Sequence, residues 1–390
     1  MSSQLLVDKI IELGDTLHRC GCAPYKIAKY VHHYARINSV NVVVQASPTA
    51  INYQFPDFDH KVVIKQLEPA SIDLSLLANT IIGINENSSS PVPPSTRYRP
   101  WLMMISNMLI PPAFLVLVGS TMNAIAMAFI LGFLVWVCQY LCRDEHKIVV
   151  EFLSALVTGL MVSFISSQGI DVPIWALSIA AIVLFVPGLS IANSLECLAF
   201  NDLISGTCLF AQSIFILVKL FIGIYIGLTL GDTLWGASIS QTNLNEVASW
   251  MPFVALPALS LSLGINFNAR FIDIFYALPV SILGMWGPLY LDLGSGWIVG
   301  TWVTTVVITL YGTWLAKTLK LTGAIYIVQG IIILVPGSRV LVGASESFLH
   351  QPILSTPDIG LSALLMFSAI VTGQITAYSV YSQKNRYLIN

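Results

Sequence analysis

The chain has 390 residues, of which 56% are hydrophobic and only 10% charged, with a formal net charge of -2. Soluble domains carry about 25% charged residues, so this composition specifies a polytopic membrane protein. No cluster of Lys and Arg suits nucleic acid, and the six scattered cysteines give no disulfide framework.

Residues 1–84 read as a small α+β domain. Leu6, Ile10, Leu13, Leu17 and Cys20 recur at three- and four-residue spacing, one face of an amphipathic helix. Gly21 and Pro24 interrupt it, and Pro24 suits the first turn of a second helix carrying Ile27, Tyr30, Val31, Tyr34 and Ile37. Three β-prone runs follow at Val40–Val44, Ala50–Phe55 and Lys61–Gln66, then a helix from about Ile72 to Ile84. Asp8, Lys9, Glu12 and Asp15 argue against an apolar signal segment at the start. His18, Cys20, Cys22, His32 and His33 straddle the Gly21–Pro24 break and share no ligand face, and Cys20 falls on the apolar stripe. Neither a metal nor another cofactor is expected. With no nucleophile–base motif, an enzyme is not expected either.

Residues 85–100 form a polar, proline-rich linker. From Trp101 onward, apolar runs of about 20 residues, the length that crosses a bilayer core, are separated by short polar breaks. They predict ten spans at 101–118, 121–141, 148–166, 173–190, 206–230, 250–264, 271–290, 295–316, 322–337 and 359–380. With the N-terminus inside, Arg97, Arg99, Arg143, Lys147, Arg270, Lys317, Lys320, Lys384 and Arg386 fall on the cytoplasmic side, and only Arg339 falls opposite. That bias predicts both termini in the cytoplasm.

The loop 231–249 divides the ten spans into a first membrane half, 101–230, and a second, 250–390. Five spans per half would make the halves an inverted repeat. Two Val-Pro-Gly breaks, Val186–Gly188 and Val335–Gly337, lie 149 positions apart, and the same offset aligns Trp101 with Trp250. Pro and Gly both resist a helix interior, and within a membrane such irregular backbone survives where it lines a cavity or is buried in protein. Matching breaks in two halves are the sequence mark of a transporter substrate site. The fold class expected is therefore an all-α polytopic membrane protein, ten helices in two inverted five-helix repeats, preceded by a small α+β cytoplasmic domain.

Ionisable groups inside a membrane are functional candidates. The run after the first break carries Asn193, Glu196 and Asp202 and no Lys or Arg. Asp202 is the first candidate for a proton-coupling carboxylate, with Glu196 beside it. Lys219 sits mid-span and needs a partner, with Asp202, Glu196 or a substrate carboxylate in view. Arg339 after the second break suits a carboxylate through its planar fork. Glu151, near the start of the third span, reads as snorkelling or as pairing with Arg143 or Lys147, and Asp273 as pairing with Arg270. Asn107, Gln168, Gln212 and Gln374 read as interhelical hydrogen bonds first, and Gly159, Gly223, Gly227 and Gly373 as close helix approaches.

Three stretches resemble the threonine/serine exporter family, which also includes two-component succinate exporters. They are Leu17–Ile27 (LHRCGCAPYKI), Val42–Asn52 (VVVQASPTAIN) and Val186–Gly206, with Pro187-Gly188 followed by Asn201-Asp202-Leu203 and Ser205-Gly206; Pro336-Gly337 repeats the break. The resemblance implies proton-driven export of small amino acids or short carboxylates across a bacterial inner membrane. The expected function is export of threonine or serine by proton antiport, with substrate near Pro187, Gly188, Asn193, Lys219, Pro336, Gly337 and Arg339 and coupling at Asp202 and Glu196. The partners expected are an amino acid or short carboxylate, protons and lipid, with a homo-oligomer left open. Dicarboxylate (succinate) export, with Arg339 and Lys219 as anion contacts, is the alternative within transport. A membrane-bound sensor or a hydrolase built on the N-terminal domain is the alternative from other classes.

Overall fold

The computed structural model describes residues 3–58, 60–68, 70–86, 97–142, 147–236, 247–334 and 359–382. The N-terminal domain comprises α1 (Ser3–Arg19), α2 (Pro24–Ile37), β1 (Val43–Ala46), β2 (Ala50–Phe55), β3 (Lys61–Gln66) and α3 (Leu74–Asn85). Its sheet is an antiparallel meander in the order β1-β2-β3, with Val43 opposite Gln54 and Phe55 opposite Lys61. Ile51, Tyr53 and Phe55 alternate inward and meet the apolar faces of α1 and α2. Pro24 occupies the first turn of α2, where a missing N–H costs nothing. β1 starts three residues later than the apolar run suggests. Val40 N–H is bonded to Ala35 O, so Asn38–Val40 close the end of α2, with Ser39 at a φ of 56°.

The remaining helices are α4 (Pro100–Val118), α5 (Met122–Leu141), α6 (Lys147–Ser167), α7 (Ile174–Ala181), α8 (Gly188–Ala199), α9 (Leu203–Trp235), α10 (Met251–Asn266), α11 (Phe271–Tyr290), α12 (Trp297–Leu319), α13 (Ala324–Leu334) and α14 (Ile359–Ser382). Among the described residues, six helices are long and apolar enough to cross a membrane: α4, α5, α6, α9, α11 and α12. The expected span 173–190 is broken. α7 stops after eight residues, a 3₁₀ turn covers Val183–Phe185, Val186 is extended, and α8 starts at a buried Gly188. The first Val-Pro-Gly is therefore a real interruption; the second, with Pro336, Gly337 and Arg339, lies outside the described residues.

Helix pairing repeats between the halves. α4 packs on α5, α5 on α6 and α7, and α6 on α9; likewise α10 packs on α11, α11 on α12 and α13, and α12 on α14. α4 and α10 pack against each other, tied by Ser106 Oγ donating to Ser262 O (2.6 Å) and Asn107 Nδ2 donating to Asn266 Oδ1 (3.1 Å). The α6–α9 crossing is close because of glycine. A Cβ on Gly223 would lie 2.7 Å from Ala155 Cβ and 2.8 Å from Phe152 O. The contact recurs 150 positions on, where a Cβ on Gly373 would lie 2.8 Å from Thr305 Cβ and 2.9 Å from Trp302 O.

The N-terminal domain is seated on the ends of the membrane helices. Leu74 and Ser75 N–H donate to Phe267 and Asn268 O (2.9 and 3.0 Å), Asn85 Nδ2 to Lys320 O (2.9 Å), and Tyr30 Oη to Thr322 Oγ1 (2.9 Å). The apolar core of the domain runs on without a gap into Ile265, Ala269, Ile274, Leu315, Ile325 and Tyr326. The α10–α11 and α12–α13 loops that receive it are two of those the charge bias assigns to the cytoplasm. Asp73 makes one joint of this seat, accepting from Leu76 N–H as the N-cap of α3 (2.9 Å) and from Asn268 Nδ2 (2.9 Å). Asp73→Ala is expected to lose about 1 kcal/mol of cap energy, seen as several-fold faster hydrogen exchange at the first turn of α3. Unchanged exchange would remove the cap from the account.

Candidate functional site

A cavity of ≈ 60 Å³ lies where the domain meets the membrane helices, walled by Asn193 and Glu196 of α8, Ile331 of α13, Gln374 of α14, and Cys22 and Lys26 of the domain. It opens between the first broken span and α13, the helix that leads toward the second break. α8 positions Asn193 and Glu196 one turn apart on a single face, as i and i+3 residues are on any helix. Ser194 on its other side donates to Gly206 O (2.8 Å) and holds α8 against α9.

Glu196 is 2% exposed. Its Oε1 accepts from Tyr25 Oη (2.6 Å) and faces Lys26 Nζ at 3.3 Å, and both partners come from α2. Tyr25 stacks on Phe200 with ring centroids 5.3 Å apart, and Lys26 Nζ lies 5.9 Å from the Tyr378 ring centre. A buried charge needs an opposite partner and hydrogen bonds, and this cluster supplies both. Burial is the largest single influence and works against the Lys26 ammonium, but Glu196, Tyr378, Tyr25 and Cys22 together outweigh it and hold Lys26 well above the ordinary lysine range. Burial pushes the Cys22 thiol up to about 12, with Lys26 opposing and Glu196 adding, and raises Cys20 as well. Both are thiols at neutral pH, unsuited to nucleophilic or ligand chemistry. His18 Nε2 is 2.9 Å from Glu68 O, inside the domain.

Of the residues singled out from sequence, the structure brings Asn193 and Glu196 to the cavity, with Pro187 and Gly188 framing the break just before them. Asp202 is elsewhere: it is the N-cap of α9, accepting from Ser205 N–H (3.2 Å). Lys219 is corrected on its partner. That partner is Glu151, not Asp202 or Glu196, and the level of Lys219 is that of the start of α6. α9 runs parallel to α6 with Gly223 against Phe152 and Gly231 against Ser163, so Lys219 is level with the first turns of α6. Glu151 accordingly pairs with Lys219; Arg143 lies outside the described residues. Arg270 binds Asp273 through two hydrogen bonds (2.6 and 3.0 Å), as expected, and Tyr326 Oη adds a third (3.1 Å).

Lys26, Tyr25 and Tyr378 were not legible as site residues. They lie on helices whose patterns report only packing, and Tyr25 is 171 positions from its partner. Gln374 read as a packing amide and lines the cavity instead.

Residues 94–231 match the family model described as "Putative threonine/serine exporter". No curated protein and no solved structure matches the chain. The matched stretch, about a third of the chain, holds α4 to α9 up to Gly231, with the first break and α8 inside it.

Proposed function

We propose, taking that exporter-family match as premise, that this protein is a secondary exporter of a small hydrophilic amino acid, threonine or serine, working by proton antiport through two inverted five-helix halves. The observation that carries the proposal is the cavity between the broken α7–α8 span and α13, where Asn193, Glu196 and Gln374 stand among apolar residues. Transporters bind substrate at such helix breaks because freed backbone groups and buried side chains there can meet a polar solute. The repeated pairing of helices and the Gly223–Phe152 and Gly373–Trp302 crossings, 150 positions apart, support two equivalent halves. The charge bias supports cytoplasmic termini, and the family match supports the amino-acid substrate.

Glu196 is the better coupling carboxylate. It is buried at the cavity, and one carboxylate oxygen can hold a proton or a substrate ammonium but not both, which is the logic of exchange. Asp202 is spoken for as a helix cap. Counter-flow of labelled threonine, serine and succinate in proteoliposomes tests the proposal: the two amino acids should exchange and succinate should not. Exchange of none of them, or of succinate alone, would overturn it. In the same vesicles Asp202→Asn should keep gradient-driven export, because Asn caps a helix as well as Asp does. Glu196→Gln should abolish it. The reverse result would return coupling to Asp202.

A further inference from the structure

We infer that Lys26 of the N-terminal domain and Glu196 of α8 are the two poles of a zwitterion site, the substrate ammonium replacing Lys26 at Glu196 and the substrate carboxylate replacing Glu196 at Lys26. The inference rests on the exporter reading and extends it, because it makes the soluble domain part of the substrate site.

Three observations carry it. First, the hydrogen-bond and ion-pair partners of the Glu196 carboxylate are Tyr25 Oη at 2.6 Å and Lys26 Nζ at 3.3 Å, both on α2. A displacement of α2 therefore strips a buried carboxylate of its cation, which must be made good by another cation. Second, Lys26 and Glu196 both line the cavity, with the Asn193 and Gln374 amides on its other walls. The opposite charges are in direct contact at 3.3 Å and must part to admit a zwitterion between them, and the amides suit a short hydroxylated side chain. Third, ≈ 60 Å³ is room for roughly four waters at about 15 Å³ each, less than threonine requires. Entry of substrate and retreat of α2 are then one event, and the direct Lys26–Glu196 contact is what substrate replaces.

The site selects by charge. A dicarboxylate would satisfy Lys26 and set its second carboxylate against Glu196, a like-charge contact in a desolvated place. An ester of threonine would lose the Lys26 contact, and an N-acyl threonine the Glu196 contact.

The test is competition against labelled threonine in gradient-free exchange with the full chain, using threonine, threonine methyl ester, N-acetylthreonine and succinate. Wild-type protein should be inhibited by threonine alone. Lys26→Met should narrow the gap between threonine and its methyl ester by about tenfold, the weight of one charge-assisted hydrogen bond, leaving the N-acetyl gap intact. Glu196→Gln should do the converse. Unaltered gaps in both variants overturn the two-pole site and leave the exporter reading standing. A wild-type protein that exchanges no amino acid overturns both. Where a variant does not insert or carries no threonine, wild-type hydrogen exchange decides. Saturating threonine should speed exchange along α2 and succinate should not; an α2 indifferent to threonine overturns the inference.

Discussion

Gly227→Leu is expected to prevent α6 and α9 from meeting and so to abolish a stable fold. A Cβ at Gly227 would lie 2.3 Å from Leu156 O, 2.9 Å from Leu160 N and 3.0 Å from Gly159 Cα, all backbone atoms that no rotamer change can move aside. Overpacking a soluble core costs about 1–3 kcal/mol and occasionally more. A whole side chain driven into a facing helix backbone belongs at the upper end of that range. Helices in lipid gain little from hydrophobic association and depend on close van der Waals contact, so the loss is not recovered elsewhere. Thermal midpoint and monodispersity in detergent read the effect, with Leu230→Ala on the exposed side of α9 as control. A wild-type midpoint for Gly227→Leu would refute the crossing.

Glu196→Ala should release the N-terminal domain. Removing one partner of a buried ion pair costs about 3–5 kcal/mol, since the other charge is left desolvated and alone, and here Tyr25 Oη loses its acceptor too. Hydrogen exchange along α2 should rise toward that of an undocked helix. The double variant Lys26→Met, Glu196→Met should dock far better than Glu196→Ala, because an apolar pair of similar size leaves no orphan charge. The pH dependence has a definite sign. Lys26 is raised in the folded state, so its contribution is complete below the ordinary lysine value and is lost only as pH rises through the higher folded value. Docking should therefore not weaken between neutral pH and the ordinary lysine range. Loss of docking at mildly alkaline pH would show that Lys26 does not hold it.

Much of the framework was legible because it rests on local rules. Apolar runs of bilayer length marked α4, α5, α6, α11 and α12, and Val186-Pro187-Gly188 announced the break before α8. Asp202 stands directly before the apolar run starting at Leu203, the position of a helix N-cap, and it caps α9 there. Lys219 is the central residue of α9, but its pairing with Glu151 depends on the register of α9 against α6, which cannot be read from sequence. The Lys26–Glu196 cluster was beyond reach for another reason. It forms only once two regions 170 positions apart are docked, and nothing in the periodicity of α2 separates Lys26 from a solvated lysine.

α9 has 33 residues, about 50 Å of helix at 1.5 Å per residue, against a hydrocarbon layer of about 30 Å. Its partner α6 lies alongside only the later part, so the α8–α9 hairpin stands beyond the first turn of α6, bearing exposed Leu203, Ile204 and Phe210. A helix longer than the hydrocarbon layer is accommodated by tilt or by local thickening of the bilayer. Acyl-chain length is therefore a variable that bears on α9 and, through the hairpin, on α8, which walls the cavity.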